Sequence, residues 1–99
     1  MRIIKRVTLR QFWEKHPDAQ QTLQLWYTRA KHASWKNISE VRMIYPAADK
    51  ASRLTVFNIG GNKYRLIVRI EYERQTIYIR HILTHKEYSK GFWKNDDWY

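Results

Sequence analysis

The sequence predicts an α+β fold: one strand and two helices, then a three-stranded antiparallel meander, with the helices packed on one face of the sheet. Three observations predict it. Leu23, Trp26, Tyr27, Ala30 and Ala33 recur at helical spacing and make one apolar stripe. From Leu54 the apolar period changes to two. Between two of the alternating runs lies Gly60-Gly61-Asn62, residues that accept the positive φ angles of a hairpin turn.

The elements follow in order. Arg2 to Val7 reads as a short strand around the β-branched pair Ile3-Ile4. Thr8 and Gln11 have the spacing of a capping box, and Leu9, Phe12 and Trp13 follow at helical spacing. That first helix runs to about His16 and stops at Pro17. Asp18 can cap the second helix, which carries the stripe to Ala33. Ser39 can cap a single turn through Glu40, Val41 and Met43, which Pro46 ends, and Pro46 to Ala51 reads as a polar loop. Leu54 to Ile59 is a strand. Lys63 to Tyr72 alternates, with Tyr64, Leu66, Val68, Ile70 and Tyr72 facing one way and Lys63, Arg65, Arg69 and Glu71 the other. Only Ile67 breaks the pattern. Glu73-Arg74-Gln75 turns the chain into the third strand of the meander, Thr76 to Thr84. The helices should cover the Leu66, Val68 and Ile70 face, leaving Arg65 and Arg69 on a basic, partly concave surface.

Ninety-nine residues are one domain, 1–99, and a composition 43% hydrophobic and 28% charged supports a folded chain over a disordered one. No apolar run reaches the roughly 20 residues of a membrane span. The basic start Met1-Arg2-Ile3-Ile4-Lys5-Arg6 has too short an apolar run for a signal peptide. The absence of cysteine excludes disulfides and thiolate metal sites and fits a cytoplasmic protein. The net charge of +10 is spread along the whole chain, so the folded surface should be positive and favour a polyanionic partner. Nucleic acid is preferred over the two other sources of such a charge, general solubility or pairing with an acidic protein.

Several residues can do chemistry on a phosphodiester. Arg65, just past the glycine turn, can grip a phosphate with two N–H groups and stabilise a phosphorane; alternatively it is a solvated arginine paired with Glu71 or Glu73. His85, among His81, Lys86 and Tyr88, can exchange a proton near neutral pH, or can simply close a strand or cap a helix. Tyr88 can bond a phosphate oxygen or stack on a base. On a strand His81 and His85 would stand about 13 Å apart, too far for a shared metal. The nine acidic residues are scattered, and Asp96-Asp97 read as a solvated tail, so neither a metal nor another cofactor is expected. Cleavage without a metal points to RNA, whose 2′-hydroxyl is an internal nucleophile. Phe12, Trp13, Trp26 and Phe57 read as core. Phe92, Trp93, Trp98 and Tyr99, interleaved with lysines, can stack bases or pack the tail on the sheet.

The runs Val56-Phe57-Asn58-Ile59-Gly60-Gly61-Asn62-Lys63-Tyr64-Arg65-Leu66, Tyr78-Ile79-Arg80 and Thr84-His85-Lys86-Glu87-Tyr88 together resemble the HigB toxins of toxin–antitoxin modules, among the RelE-like ribonucleases. The resemblance covers Leu54 to Trp93; before it, only the strand-helix-helix plan and the pair Trp35-Lys36 are similar. It implies a RelE-like fold, cleavage of messenger RNA on the translating ribosome, and a cognate HigA-type antitoxin. That antitoxin would carry a helix-turn-helix domain and be the chain's only link to operator DNA. Arg65, His85 and Tyr88 would be catalytic, and Asn62, Lys63, Arg69, His81, Lys86 and Lys36 would contact RNA. Arg80 differs from His85 in strand parity, which leaves it open to a structural role. The rival reading is a non-catalytic RNA- or ribosome-binding module using the same basic face. A DNA-binding repressor is disfavoured, since no helix of its own with a polar reading face follows a short turn.

Overall fold

The computed structural model describes all of residues 1–99. Along the chain come β1 (Arg2–Ile4), α1 (Val7–Lys15), α2 (Gln20–His32), α3 (Ile38–Ile44), β2 (Asp49–Ala51), β3 (Leu54–Ile59), β4 (Tyr64–Glu71), β5 (Thr76–Thr84) and α4 (His85–Lys90). Short 3-10 turns span Pro17–Ala19 and Phe92–Asn95. The predicted meander is β3-β4-β5, but the sheet is wider than expected. β1 pairs parallel to β5 and β2 antiparallel to β3, giving five strands in the order β1-β5-β4-β3-β2. The sequence predicts the first strand, though not its place in this sheet; β2, with three residues, is too short for a period of two to show. No helix is long and apolar enough to cross a membrane.

Helix starts were the least legible feature. Lys5 adopts φ 68°, which ends β1 three residues earlier than the apolar pattern suggested. Arg6 then takes the cap position with no side-chain bond, and the expected Thr8–Gln11 box does not form because Thr8 already lies in the first turn. Asp18 sits in a 3-10 turn before α2, and its carboxylate goes to Tyr64 and Lys63 instead of the helix. Asn37, not Ser39, caps α3, accepting the Glu40 N–H at 3.0 Å, so this helix is longer than one turn. Asp49–Ala51, expected as loop, is recruited as β2 through the register Asp49↔Val56 to Ala51↔Leu54.

The sheet's two faces differ. On one, Leu66, Val68 and Ile70 join Leu23, Trp26, Ala30 and Phe57 in a core of 17 buried residues, as the alternation and the helical stripe imply. The rings of Trp26 and Phe57 meet edge to face at 5.5 Å. Phe12 and Trp13 lie at the rim of this core, half-buried. The opposite face is not the bare basic surface that the sequence suggested. There Leu54, Val56 and Ile67 form a second cluster with Trp93, edged by Leu83, Tyr88, Trp98 and Tyr99. Ile67 breaks the alternation because it feeds this second cluster. Phe92 takes no part and is 72% exposed.

An irregularity in the β4–β5 pairing explains how the C-terminal segment stays in place. Ile67 faces His81 but Val68 faces Ile79, so Arg80 is an extra residue on β5. A regular strand would send Arg80 and His81 to opposite faces. Across the bulge both reach the same carboxylate. Arg80 donates to both oxygens of Asp96 at 2.9 Å, and the His81 ring nitrogen lies 2.8 Å from one of them. The Trp98 N–H adds a bond at 2.8 Å. The Asp96 side chain is only 3% exposed, contrary to the solvated tail expected. Trp98 lies under Arg80 at 4.1 Å and under Arg69 at 5.5 Å. Arg53 fastens the chain end, donating to the carbonyls of Asp97 at 2.9 Å and Tyr99 at 3.1 Å.

Two outcomes follow from this packing. Val68 is fully buried, so Val68→Asp places an unpaired charge in the core and should abolish the cooperative melt seen for wild type; a wild-type melting curve would show that the helices do not cover this face. Burial alone would raise the Asp96 pKa, but Arg80, the Trp98 N–H and His81 together outweigh it and bring it from 3.8 down to about 2. A depressed carboxylate stabilises the fold above its unfolded pKa and loses that contribution as pH falls through the folded one. Tryptophan fluorescence should therefore report loosening of the C-terminal segment between about pH 4 and 2, worth roughly 2 kcal/mol. Asp96→Asn should be destabilised at neutral pH and lack that step.

Candidate functional site

The corner where β5 passes into α4 gathers the chemistry-bearing side chains. Thr84 caps α4 in a reciprocal box: its hydroxyl accepts the Glu87 N–H at 3.2 Å, and Glu87 accepts the Thr84 N–H at 2.9 Å. The Thr84 N–H bond, and less so the Thr84 hydroxyl, lower the Glu87 pKa against the opposing effect of burial. Gly91 ends the helix at φ 78°. His85 is thereby fixed as the first helical residue, and Tyr88 follows almost one turn later. The His85 backbone N–H donates to the Lys63 carbonyl at 2.9 Å, tying the helix start to the hairpin turn. Gly60 and Gly61 give that turn its shape, both with positive φ.

Arg65 lies two residues along β4 from this tie. Its guanidinium stands 5.3 Å over the Tyr88 ring and donates to the Tyr64 carbonyl at 3.2 Å. It pairs with neither Glu71 nor Glu73; Glu71 takes Arg69 at 3.5 Å and Arg74 at 3.6 Å. Tyr88 in turn stacks on Trp93, with ring centres 5.2 Å apart and planes 11° from parallel, and the Trp93 indole N–H donates to the Tyr88 carbonyl at 3.1 Å. A relay of stacked groups thus runs from the second core to the arginine. His85 is exposed, its Nδ1 3.4 Å from the Ser89 hydroxyl, and its Nε2 makes no hydrogen bond within the chain.

The other candidate residues divide. Asn62 and Lys86 are exposed beside this corner, in the turn and on α4. Lys63 is there too, but its ammonium pairs with Asp18 at 3.1 Å. Asp18 also accepts the Tyr64 hydroxyl at 2.6 Å; that bond first, and Lys63 second, hold its pKa below the usual carboxylate range, while the same bond, with burial, raises that of Tyr64. His81 is committed to Asp96, so it points to the anchored tail and not to His85. Arg69 lies farther along β4, between Glu71 and Trp98. Lys36 sits before α3, away from the corner. Arg80 is structural in its contacts, holding Asp96.

Two determinants of the corner escaped the sequence reading. The capping box Thr84-His85-Lys86-Glu87 was legible from its Thr-x-x-Glu spacing and would have placed His85 on a helix. Trp93 as the support of Tyr88 was not, since its partner is found only once the tail has folded onto the sheet.

A cation over an aromatic ring, a solvent-facing imidazole and a phenol, set around a glycine turn, can grip a phosphate and exchange protons with its oxygens. Comparison with known proteins agrees in class. The sequence profile of a family described as HigB toxin, the RelE-like toxic component of a toxin–antitoxin system, matches residues 19–91. The chain is 31% identical over 91 residues to the mRNA interferase toxin HigB of Escherichia coli strain K12, covering 89% of this chain and 88% of that protein. The mRNA interferase HigB of Shigella flexneri gives the same figures. That of Escherichia coli O6:H1 is 27% identical over 93 residues, covering 91% of this chain and 90% of its own length. The chain therefore belongs to the HigB family, the RelE-like toxic components of toxin–antitoxin systems.

Proposed function

We propose that this chain is an endoribonuclease toxin that cleaves messenger RNA in the cytoplasm, on the translating ribosome, by attack of a 2′-hydroxyl on the adjacent phosphorus. The observation that carries the reading is the convergence at one corner of Arg65, His85 and Tyr88, joined through the His85–Lys63 backbone bond and the Arg65–Tyr88 stack. The names of the relatives support the substrate class.

In this mechanism the 2′-oxygen loses a proton, the phosphorane gains charge on its equatorial oxygens, and the departing 5′-oxygen takes up a proton. His85, exposed and with Nε2 open, supplies at least one of the two transfers. Arg65 stabilises the phosphorane; its guanidinium is not neutralised by a carboxylate and is held from behind by Tyr88. The Tyr88 ring is occupied by Trp93 and Arg65, which leaves its hydroxyl to bond a phosphate oxygen. Asn62 and Lys86, with Lys63 exchanging Asp18 for phosphate, hold the strand across the turn. A cognate HigA-type antitoxin with a helix-turn-helix domain masks the toxin, and operator DNA is reached only through it. None of these steps calls on a metal or cofactor.

Primer extension on a translated message tests this. Wild type should cleave in the presence of EDTA and leave a 2′,3′-cyclic phosphate or the 3′-phosphate derived from it. His85→Ala should lower cleavage by about 10²- to 10⁴-fold, and Arg65→Ala by about 10²- to 10³-fold, both while still binding RNA. Undiminished cleavage by both variants would reject this site. A wild-type protein that binds ribosomes or RNA without cutting would instead be the non-catalytic module. RNA affinity should also fall steeply with salt, and Lys86→Ala should weaken binding to all sequences alike while shallowing the salt slope by about 0.7; an affinity indifferent to salt would refute the electrostatic basis of binding.

A further inference from the structure

A second concentration of positive charge lies away from the corner. A groove of about 420 Å³ opens where the segment before α3 meets the β2–β3 turn and the far end of β4. Its lining includes four cations, Lys36, Lys50, Arg53 and Arg69, drawn from separate parts of the chain, and no carboxylate. Asn37 and Ser52 add polar groups at its wall. Lys36 and Lys50 are exposed and their ammonium groups pair with no acid, so the groove carries uncompensated charge. Arg53 is shared with the carbonyls of the chain end and Arg69 with Glu71.

The groove lies at the far end of the strand that carries Arg65. Arg65 and Arg69 sit on the same face of β4, each against a ring of the C-terminal segment, Tyr88 for one and Trp98 for the other. Four residues of strand separate them by about 13 Å. A nucleic-acid strand reaching from Arg65 to the groove would pass over the C-terminal segment, whose Trp93 and Trp98 cover Ile67 between the two arginines. Flexible lysines act as point charges for phosphates, and the acids at the rim are already engaged, Glu71 by Arg69 and Arg74 and Glu40 by the Lys36 N–H.

We propose that this groove is an extended binding track for the backbone of single-stranded RNA, taking phosphates that flank the scissile step in the same substrate molecule. The track rests on the reading of the corner as an RNA-cleaving site and adds reach to it. Lys36 and Lys50 are its main phosphate ligands, with Arg53 and Arg69 shaping the floor. Its contribution is independent of base sequence and appears only with substrates long enough to enter the groove.

The test compares binding of 2′-O-methyl RNA, which lacks the nucleophile, as a tetranucleotide and as a dodecanucleotide, across a salt series. The Lys36→Ala/Lys50→Ala double variant should lose about tenfold or more in affinity for the long oligonucleotide and far less for the short one. Its salt slope with the long RNA should fall by about 1.4, two contacts at about 0.7 each on a single strand. Lys15→Ala/Lys31→Ala, which removes the same charge from exposed positions on α1 and α2, is the control. Equal losses in the two double variants would overturn the track, leaving only a general charge effect. Unchanged RNA affinity together with lost antitoxin binding would also overturn it and assign the groove to the protein partner. A wild type that binds neither oligonucleotide would reject the RNA-binding reading itself, an outcome visible without any variant.

Discussion

The architecture of the functional face depends on one buried carboxylate. Asp96 can lie against the sheet only because a bulge brings two consecutive residues of β5, Arg80 and His81, to the same side. Removing two charges from water is costly unless their remaining hydrogen-bonding capacity is met. Here the geometry supplies both prongs of a guanidinium, an imidazole and a backbone N–H. Once Asp96 is held, Trp98 and Tyr99 close over Leu54, Val56 and Ile67, and Trp93 comes to rest beneath Tyr88. The position of Arg65 over Tyr88 is the last step of that sequence of contacts. An unbroken run of contacts thus joins the buried anion to the principal cation of the corner.

The surplus charge is not uniformly available. Some basic groups are consumed in building the fold: Arg80 on Asp96, Arg53 on the chain end, Arg42 on the Ala48 carbonyl at 2.9 Å, Arg6 over the Tyr27 ring. Others stay free of acidic partners and remain on the surface, Lys86 at the corner and Lys36 and Lys50 in the groove among them. The count of cations says that a polyanion will bind; only their commitments say where. A lysine in an ion pair with an exposed acid, as Lys63 is with Asp18, stands between the two classes, because such a pair contributes little and can be exchanged for phosphate.

The parts of the fold legible in the sequence were those governed by long periods. The stripe from Leu23 to Ala33 and the alternation from Tyr64 to Tyr72 each average over many residues, and both correctly assign the core face. The glycine turn was equally plain, since few residues other than glycine serve there. What could not be read depended on contacts distant in the chain. The first strand was legible from Ile3-Ile4 but its place beside β5 was not, and β2 is a strand only because β3 offers it a partner. Asp18 had a credible local role as a cap, and a tertiary bond from Tyr64 won it away. Of the corner, Arg65 and His85 were legible as residue types next to a turn. Their supports, Tyr88 stacked on Trp93 and the backbone tie from Lys63, come from pairings that no local spacing encodes.

The short edges of the sheet carry a consequence for how another protein can take hold of this one. Both outer strands stop after three residues, and one is followed by a tight turn through Ser52 at φ 55°. A long flat edge invites a foreign strand to dock by main-chain hydrogen bonding, and it also invites self-association of a chain made in excess of its partner. The two edge strands themselves are too short for either route. Yet β1 covers β5 only at Thr76–Tyr78 and β2 covers β3 only at Leu54–Val56, so Ile79–Thr84 and Phe57–Ile59 have a strand partner on one side only. A partner that holds this chain can therefore use both the uncovered main chain of β5 beyond Tyr78 and the exposed basic side chains, the first open to any strand and only the second able to tell a cognate module from a foreign one.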